Sequence, residues 1–307
     1  LNDEVINSKF KCKDIRNSKS LGKCDCEIAK FPGKESTQYD FSYGGKVTKY
    51  KILFGLTSRF KNQFNGDTET IYNRLVHILN IVNLIYQSNF LCYFTIDEQI
   101  QKKLIESDVF NSEHGQTAIN NLGTFTDIFN KFLYDNNYDI KTTYDIGHVL
   151  SNGSLSGIAF LSSLCSQYSF VDSGGELQTS DIRGNAYTQG NVTEDAWIIN
   201  VLCHEMGHQF GCQHVHQGDF CNTVPSSSVE PGSGTTIMSY AGICYPNVQM
   251  FADPYFNRIN LWQNINFMLN SQDLDGNNYF SRCGESVDSN KPIPVSYTHL
   301  TLPTTSS

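Results

Sequence analysis

Residues 204–214 read HEMGHQFGCQH, and the spacing of the polar side chains in this stretch decides both the fold and the chemistry of the 307-residue chain. In a helix, His204 and His208 project from the same face one turn apart, because residues four apart are neighbours on a helix surface. Two neutral imidazoles placed in this way bind one zinc ion, and Glu205 then points beside the metal towards a bound water molecule. The stretch therefore predicts a helix that carries two metal ligands and a general base.

Gly211 and His214 extend this pattern beyond the helix. Glycine readily takes the positive φ that ends a helix and reverses the chain, so we expect Gly211 to bring His214 back as a third ligand. Three protein ligands leave the fourth tetrahedral position of one zinc ion open to water, which is typical of a catalytic site and not of a structural one. Four of the eight histidines lie in residues 204–216, which argues against a surface helix with scattered histidines.

Composition and charge narrow the class of protein. Hydrophobic residues make up 39% of the chain and aromatic residues 12%, which is typical of a globular protein. The net charge of −9 gives no reason to expect nucleic acid or an anionic membrane as a partner. No apolar run is long enough to span a bilayer. The ten cysteines, an even number, suit an oxidising compartment.

Hydrophobic periodicity predicts an alternation of strands and helices before the histidine stretch. Buried apolar runs indicate strands, apolar residues at helical spacing indicate helices, and Asp67 is a candidate N-cap for the first helix. The predicted elements are a strand at 49–57, a helix after Asp67, a strand at 91–96, a helix at 117–133, and strands at 143–150 and 157–165.

The HExxHxxGxxH pattern resembles the signature of the metzincin zinc endopeptidases, whose second hallmark is a methionine-containing turn, the Met-turn. The sequence TIMSY at 236–240 matches that hallmark and places Met238 24 residues after His214. The resemblance implies that Met238 forms an apolar floor beneath the zinc-bound imidazoles. It also implies an α+β fold, in which an N-terminal mixed twisted sheet with the active-site helix is separated by a cleft from a smaller, irregular C-terminal subdomain.

Among the metzincins, the chain is most similar to the adamalysin or reprolysin branch, especially its microbial reprolysin-like members. The segments YDIGHVL at 144–150, GIAFLSSLC at 157–165 and EPGSGTTIMSYAGIC at 230–244 carry this similarity. Two positions depart from adamalysins proper: Val215 stands where they have Asp, and Tyr240 follows the methionine by two residues, as in astacins and serralysins. The sequence therefore indicates the metzincin clan more clearly than it indicates a branch within that clan.

The resemblance implies a zinc-dependent endopeptidase that acts on extended polypeptides. Glu205 would be the general base, Tyr240 would stabilise the transition state, and the substrate would add to an edge strand at Gly157, Ile158, Ala159 and Phe160. The alternative is a catalytically silent binding or adhesion module that keeps the metzincin fold. The intact Glu205 favours the enzyme, because loss of this base is the simplest way to inactivate such a site.

Three regions follow from these interpretations. We expect an N-terminal extension or propeptide remnant at 1–46, a metzincin-like catalytic domain at 47–286, and a linker with a non-native tail at 287–307. Cys24 or Cys26 would either cover the zinc ion of a latent enzyme or form disulfides, and the second reading is favoured because neither lies in a switch motif. We further expect a secreted or extracellular monomer whose signal segment is missing from this sequence, since it begins at Leu1.

Five further cysteines have predicted roles. By resemblance to adamalysins, Cys165 pairs with Cys283, and Cys221 and Cys244, which bracket the Met-turn loop, are a second pair. Cys203, next to a metal ligand on a packed helix, is expected to be a buried free thiol.

Two histidines outside the motif have competing interpretations. His148 lies on a predicted core strand, and a hydrogen-bonded structural role is favoured over a ligand role. His216 would compete with His214 for the metal, but the Gly-x-x-His spacing favours His214.

Overall fold

The computed structural model describes residues 46–110, 122–171, 177–218, 221–270 and 283–288. Apart from Lys46, the predicted N-terminal extension, with Cys24 and Cys26, therefore lies outside the described residues, as does the predicted tail apart from its first two residues. The helices are α1 Ser58–Asn62, α2 Thr68–Phe90, α3 Glu98–Glu106, α4 Phe125–Asp135, α5 Ile140–Thr143, α6 Cys203–Gln209 and α7 Arg258–Asn270. The strands are β1 Lys46–Leu56, β2 Cys92–Thr95, β3 Ile146–Asn152, β4 Ser156–Ala159, β5 Gln167–Val171, β6 Leu177–Asp181, β7 Ala186–Gly190 and β8 Glu285–Asp288.

A mixed six-stranded sheet forms the centre of the fold. Its strand order is β2-β1-β3-β7-β4, and β8 pairs with β1 outside this path. β1 runs parallel to β2 and β3, and β3 runs parallel to β7, whereas β4 and β8 are antiparallel to their neighbours. The α+β fold class is therefore confirmed, and β4 forms one edge of this sheet.

Helices cover both faces of the sheet, which explains why β1 is apolar on both sides. Ile52 and Phe54 pack into a core cluster with α2 and α6, whereas Leu53 packs into a second cluster with α3 and α4. A strand buried on both faces reads as a continuous apolar run and not as an alternation. This is why residues 52–56 predict a buried strand from the sequence.

The long helix α2 begins where the sequence predicts it. Asp67 is its N-cap, and its side chain accepts a hydrogen bond from the Thr70 backbone N–H at 2.7 Å. The buried side chains of α2 recur at helical spacing along one face. They are Ile71, Tyr72, Leu75, Val76, Ile78, Leu79, Val82, Ile85 and Tyr86.

The strand predicted at 157–165 is shorter in the structure. β4 ends at Ala159, and Ser162 and Cys165 both take positive φ angles near 59°, which no strand accommodates. Beyond the strand, Ser162 N–H donates to the His208 carbonyl at 2.8 Å, so this segment bonds to α6. Ser163 and Leu164 are buried there, whereas Phe160 and Leu161 are exposed, so the apolarity of this run did not distinguish a segment that bonds to a helix from a strand.

Other differences concern elements that the sequence did not reveal. The helix predicted at 117–133 is described only from residue 122, as a 3₁₀ turn at Leu122–Thr124 that leads into α4. The helix α3, the β5–β6 hairpin, β7 and β8 were not predicted. Because β8 ends at Asp288, the sheet extends two residues past the domain boundary predicted at 286.

Candidate active site

The helix that carries the predicted ligands is continuous from Ile198 to Gln209. Its first turn, Ile198–Leu202, is π-helical, and α6 continues it. π-helical turns inside helices occur frequently at functional sites. With the exception of His208, which is half-buried, every residue of α6 is buried, so the helix lies in the core and not on the surface.

Gln209 anchors the end of this helix to the sheet. Its amide nitrogen donates to the carbonyl oxygens of Gly147 and Arg183, at 3.1 and 3.3 Å, so its oxygen faces His148 Nδ1 at 2.9 Å. The other ring nitrogen of His148 lies 2.8 Å from the Thr188 hydroxyl. His148 is fully buried, and burial lowers its pKa to about 4, so the ring is neutral at pH 7. The predicted structural role of His148 is confirmed.

The turn after α6 follows the predicted geometry. Gly211 has a φ of 86°, a conformation that L-residues with side chains rarely adopt, and the chain reverses there. The reversal returns His214 to the helix. As a result, one ring nitrogen from each of His204, His208 and His214 lies within 4.8 Å of the others, and within the described residues these three form a group that could hold a metal ion.

The second ring nitrogen of each histidine is held by a backbone carbonyl. His204 Nδ1 lies 2.7 Å from the Ile237 oxygen. The Nδ1 atoms of the other two rings are equally close to carbonyls, His208 to that of Cys212 and His214 to that of Asn222. A carbonyl only accepts hydrogen bonds, so each Nδ1 carries the proton and each Nε2 keeps its lone pair. Such bonds fix ring orientation in metal sites.

The three lone pairs converge on one point, and this arrangement fits a cation. Nε2 of His214 lies 3.1 Å from Nε2 of His208 and 3.2 Å from Nε2 of His204. Burial lowers the pKa of all three imidazoles, and the neighbouring histidines lower those of His204 and His208 further, so no proton bridges the nitrogens at neutral pH. A tetrahedral zinc ion with Zn–N distances of about 2.0–2.1 Å would hold its nitrogen ligands about 3.3 Å apart, close to the observed spacing.

His216 lies beside this cluster without joining it. It is fully buried, and its ring stacks on that of Tyr240 with centroids 4.4 Å apart and planes 21° apart. Its ring centroid lies 5.4 Å from that of His214. The structure thus separates the two histidines as the Gly-x-x-His spacing predicts.

Glu205 is buried beside the histidines and has an unusual environment. Only 6% of the residue is exposed, and Oε2 has no hydrogen-bond partner. Burial raises the pKa of the carboxyl group to about 8. Unpaired buried carboxylates are costly and cluster at functional sites. The backbone of Gly157 on β4 packs directly against this side chain.

Met238, the methionine of the predicted Met-turn, packs against the helix α6. It is fully buried, and a Cβ added to Gly207 of α6 would meet its sulfur at 2.4 Å, so the glycine permits this close packing. The Met238 carbonyl accepts a hydrogen bond from Val215 N–H at 3.2 Å. The methionine therefore packs against Gly207, which lies between His204 and His208 in α6, and its carbonyl bonds to the residue that follows His214.

Tyr240 lies over the histidine cluster. Its ring centroid is 4.6 Å from that of His214 and 5.7 Å from that of His204. Burial raises the pKa of the phenol, which keeps its proton available for donation, and the side chain of Asn222 hydrogen-bonds to it.

A cleft of about 410 Å³ opens in front of these residues. The edge strand β4 forms one side, α6 the floor, and loops beyond His214 the other side. Its lining residues are Gly157, Ile158, Ala159, Leu161, Glu205, His208, Gln213, His214, Asn222, Val224 and Tyr240. Phe160 follows the end of β4, and its N–H donates to the Asn185 carbonyl at 2.9 Å.

Both predicted cysteine pairs are present. Cys165 bonds to Cys283 and Cys221 bonds to Cys244, while Cys203 is a buried free thiol as predicted. Cys92 and Cys212 are also buried free thiols, which the sequence analysis did not single out.

Three residues contribute to the site although the sequence analysis did not single them out. Gln209 anchors the helix, and Asn222 supplies the carbonyl behind His214. The buried carboxylate of Glu230 accepts hydrogen bonds from the residues before the Met-turn. Of the three, only Gln209 had a sequence feature that could have pointed to it, because it directly follows the predicted ligand His208. The other two lie in loops without periodicity.

Within the described residues, no helix is long and apolar enough to cross a membrane. Comparison with known protein families gives a match to a peptidase family. The sequence profile of a reprolysin family, described as metallo-peptidase family M12, matches residues 46–252, or 207 of the 307 residues. The matched region contains β1 and β4, the three histidines, Glu205 and the Met-turn.

Proposed function

The chain belongs to metallo-peptidase family M12, and from this premise we propose that it is a zinc-dependent endopeptidase that cleaves extended polypeptides. The observation that carries the proposal is the convergence of three deprotonated Nε2 atoms beside the buried, unpaired carboxylate of Glu205. Two of the three histidines, His208 and His214, line one cleft together with Glu205 and the edge strand β4.

His204, His208 and His214 are the proposed ligands of one zinc ion. When bound in a site with an open fourth position, zinc polarises a peptide carbonyl and makes water acidic enough to act as a nucleophile near neutral pH. The chain's contribution is the fixed orientation of the three rings, which the backbone carbonyls of Ile237, Cys212 and Asn222 maintain.

Glu205 is the proposed general base. Its free Oε2 atom is available to accept the proton of the attacking water and to pass it to the nitrogen of the leaving amine. Burial excludes competing solvent from the carboxylate and raises its proton affinity. A nearby cation would lower that affinity again, so the zinc charge and the burial act in opposite directions on this pKa.

The edge strand β4 is the proposed binding surface for the substrate backbone. It pairs with β7 on one side only in the sheet of the described residues, so its other edge is open to an added strand. An extended peptide there would gain backbone hydrogen bonds, while side-chain pockets in the cleft would select among sequences. Gly157, Ile158 and Ala159 lie on this strand and line the cleft, and Phe160 extends the surface by one residue.

Tyr240 is proposed to stabilise the transition state. Its phenol lies above His214 with its pKa raised by burial, and it lines the same cleft as Glu205. A protonated phenol in that place would donate a hydrogen bond to the oxygen that becomes negative when the peptide carbonyl is attacked.

We also propose that the protein functions outside the cell or in another oxidising compartment. Two disulfides brace the described chain, one across the Met-turn loop and one between the end of the β4 region and Cys283. Disulfides of this kind persist under oxidising conditions and are rare in the cytosol.

The test combines metal analysis with casein cleavage. We expect one zinc per purified chain, cleavage that a chelator abolishes and added zinc restores, and a Glu205→Ala variant that keeps its zinc but loses cleavage by about 10²–10⁴-fold. The matched control is Glu106→Ala, which removes an exposed glutamate from the end of α3 and should leave both properties unchanged. Cleavage by Glu205→Ala at the rate of the unmodified protein would refute the mechanism.

A further inference from the structure

The carboxylate of Glu230 is the most densely hydrogen-bonded acidic group near the candidate active site. It is 7% exposed, and its Oε2 atom accepts from the backbone N–H groups of Thr235 and Thr236 at 2.7 and 3.1 Å. Its Oε1 atom accepts from the Thr236 hydroxyl at 2.5 Å and from Asn257 Nδ2 at 2.8 Å. Four donors satisfy one buried charge, and a carboxylate with so many bonds has a single orientation.

Two of the three donor residues, Thr235 and Thr236, immediately precede the residue that orients a predicted ligand. Thr235 and Thr236 lead into Ile237, whose carbonyl accepts the hydrogen bond from His204 Nδ1. The intervening peptide groups are also fixed, because the Thr236 carbonyl accepts from Ser239 N–H at 2.9 Å and Ile237 N–H donates to Tyr255 at 3.1 Å. The carbonyl that faces His204 therefore has little freedom as long as Glu230 holds the residues before it.

The backbone around Glu230 is shaped for this contact. Gly234 has a φ of 69°, and a Cβ at that position would lie 2.6 Å from Glu230 Oε2, so only glycine permits the approach. On the other side, Glu230 N–H donates to the Val215 carbonyl at 2.8 Å, and Val215 N–H donates to Met238. Glu230 thus connects the segment after His214 with the turn that carries Ile237.

We propose that Glu230 is a positioning residue for the metal centre, and that it acts on His204 through the Ile237 carbonyl. The inference rests on the proposed function in one respect, namely that His204 is a metal ligand. Glu230 itself does not touch the reacting atoms. Its effect is to hold the acceptor that keeps the proton on Nδ1 and directs the Nε2 lone pair towards the ion, a role that outer-shell groups have in metal sites.

The test measures metal affinity and not only activity. Glu230→Gln keeps the shape of the side chain but removes the charge and replaces one acceptor oxygen with an NH₂ donor. We expect the zinc dissociation constant, measured by competition with a chromophoric chelator, to rise about 10- to 100-fold. The absorption bands of the cobalt-substituted protein should shift, and excess zinc should restore part of the lost cleavage.

The matched control is Asp145→Asn. This half-buried carboxylate also accepts a backbone N–H, that of Lys51 at 2.7 Å, but it braces β1 in the sheet. It should leave the zinc dissociation constant and the cobalt spectrum unchanged, whatever it does to the free energy of unfolding. An equal loss of zinc affinity in Asp145→Asn, or an unchanged affinity in Glu230→Gln, would overturn the inference.

A second pair of variants decides the question if Glu230→Gln does not fold. Thr236→Val deletes one donor to Oε1, whereas Thr235→Val keeps the backbone N–H with which Thr235 bonds Glu230. Thr236→Val should weaken zinc binding, though less than Glu230→Gln does. Thr235→Val should leave zinc binding unchanged. Equal zinc affinities in these two variants would contradict the proposal. Absence of zinc from the unmodified protein is a different result: it would refute the proposed function itself.

Discussion

The backbone of Gly157 lies so close to Glu205 that a Cβ at this position would stand 2.4 Å from Glu205 Cγ and 2.5 Å from Oε1. Real Cβ atoms essentially never approach other atoms this closely, so any side chain at 157 must displace the carboxylate. The proposed edge strand and the proposed general base are therefore in direct contact, and the position of one limits that of the other.

Gly157→Ala tests this contact. Because the added methyl group displaces the carboxylate and leaves the histidines in place, we expect zinc to be retained and kcat/KM for peptide cleavage to fall by about 10²-fold, the cost of a misplacement of about 1 Å. The control is Gly123→Ala, since a Cβ added there meets nothing within 4 Å. Wild-type kinetics in Gly157→Ala would show that Glu205 tolerates the displacement.

Tyr240→Phe tests the proposed hydrogen bond to the transition state. The substitution keeps the ring that packs on His214 and His216 and deletes only the hydroxyl. A donor that acts only in the transition state predicts a fall in kcat of about 10²-fold with KM little changed. Tyr255→Phe, at a half-exposed tyrosine beyond the Met-turn, is the control. A kcat within about threefold of the wild-type value in Tyr240→Phe would rule the role out.

The two disulfides should differ in their effect on the metal. Cys221 adjoins Asn222, whose carbonyl orients His214, so replacement of Cys221 and Cys244 by serine should weaken zinc binding about 10-fold. Replacement of Cys165 and Cys283 should lower the free energy of unfolding by about 3–5 kcal/mol and leave zinc affinity unchanged. Urea unfolding and chelator competition measure the two effects. Equal zinc affinities in the two double variants would contradict this assignment.

Because His148 is buried in its neutral form, we expect the stability of the metal-free protein to depend on pH. Its pKa is about 4 in the folded state and about 6.5 when unfolded, so the unfolded chain binds more protons between these values. The free energy of unfolding therefore keeps its full contribution from the neutral His148 ring above about pH 6.5. This contribution is lost as the pH falls towards 4, by up to about 3 kcal/mol.

Unfolding by urea at several pH values, with a chelator present, measures this contribution. The pH slope of the unfolding free energy should be smaller in His148→Asn than in the unmodified protein. Thr188→Val removes a hydrogen bond to the ring but keeps the buried imidazole, so it should lower stability and keep the slope. Parallel slopes in His148→Asn and the unmodified protein would show that His148 is not buried in the neutral form.

The cluster of three histidines was predictable because its geometry is local. His204 and His208 are related by one helical turn, and the return of His214 depends on one glycine with positive φ, so eleven consecutive residues contain nearly all the information. α2 was predicted for the same reason. Its cap at Asp67 and its apolar stripe depend only on sequence spacing.

Elements defined by distant contacts were not predictable in the same way. β7 inserts between β3 and β4, and its sequence AYTQG has no strong strand pattern, so only its partners make it a strand. Glu230 lies in a loop of Ser, Pro and Gly residues, and its role follows from bonds to residues five and six positions further on and to Asn257. Apolarity likewise did not reveal that the chain after Ala159 packs against a helix.

All three imidazoles are oriented by main-chain oxygens, and this has a consequence for how the site tolerates change over evolutionary time. Every residue type has a carbonyl, so substitutions at Ile237, Cys212 or Asn222 do not remove an acceptor from the three histidines. Drift at these positions can only shift an acceptor, by altering the loop that carries it. Sequences with this site are therefore free to diverge around the ligands, as long as each loop keeps its path.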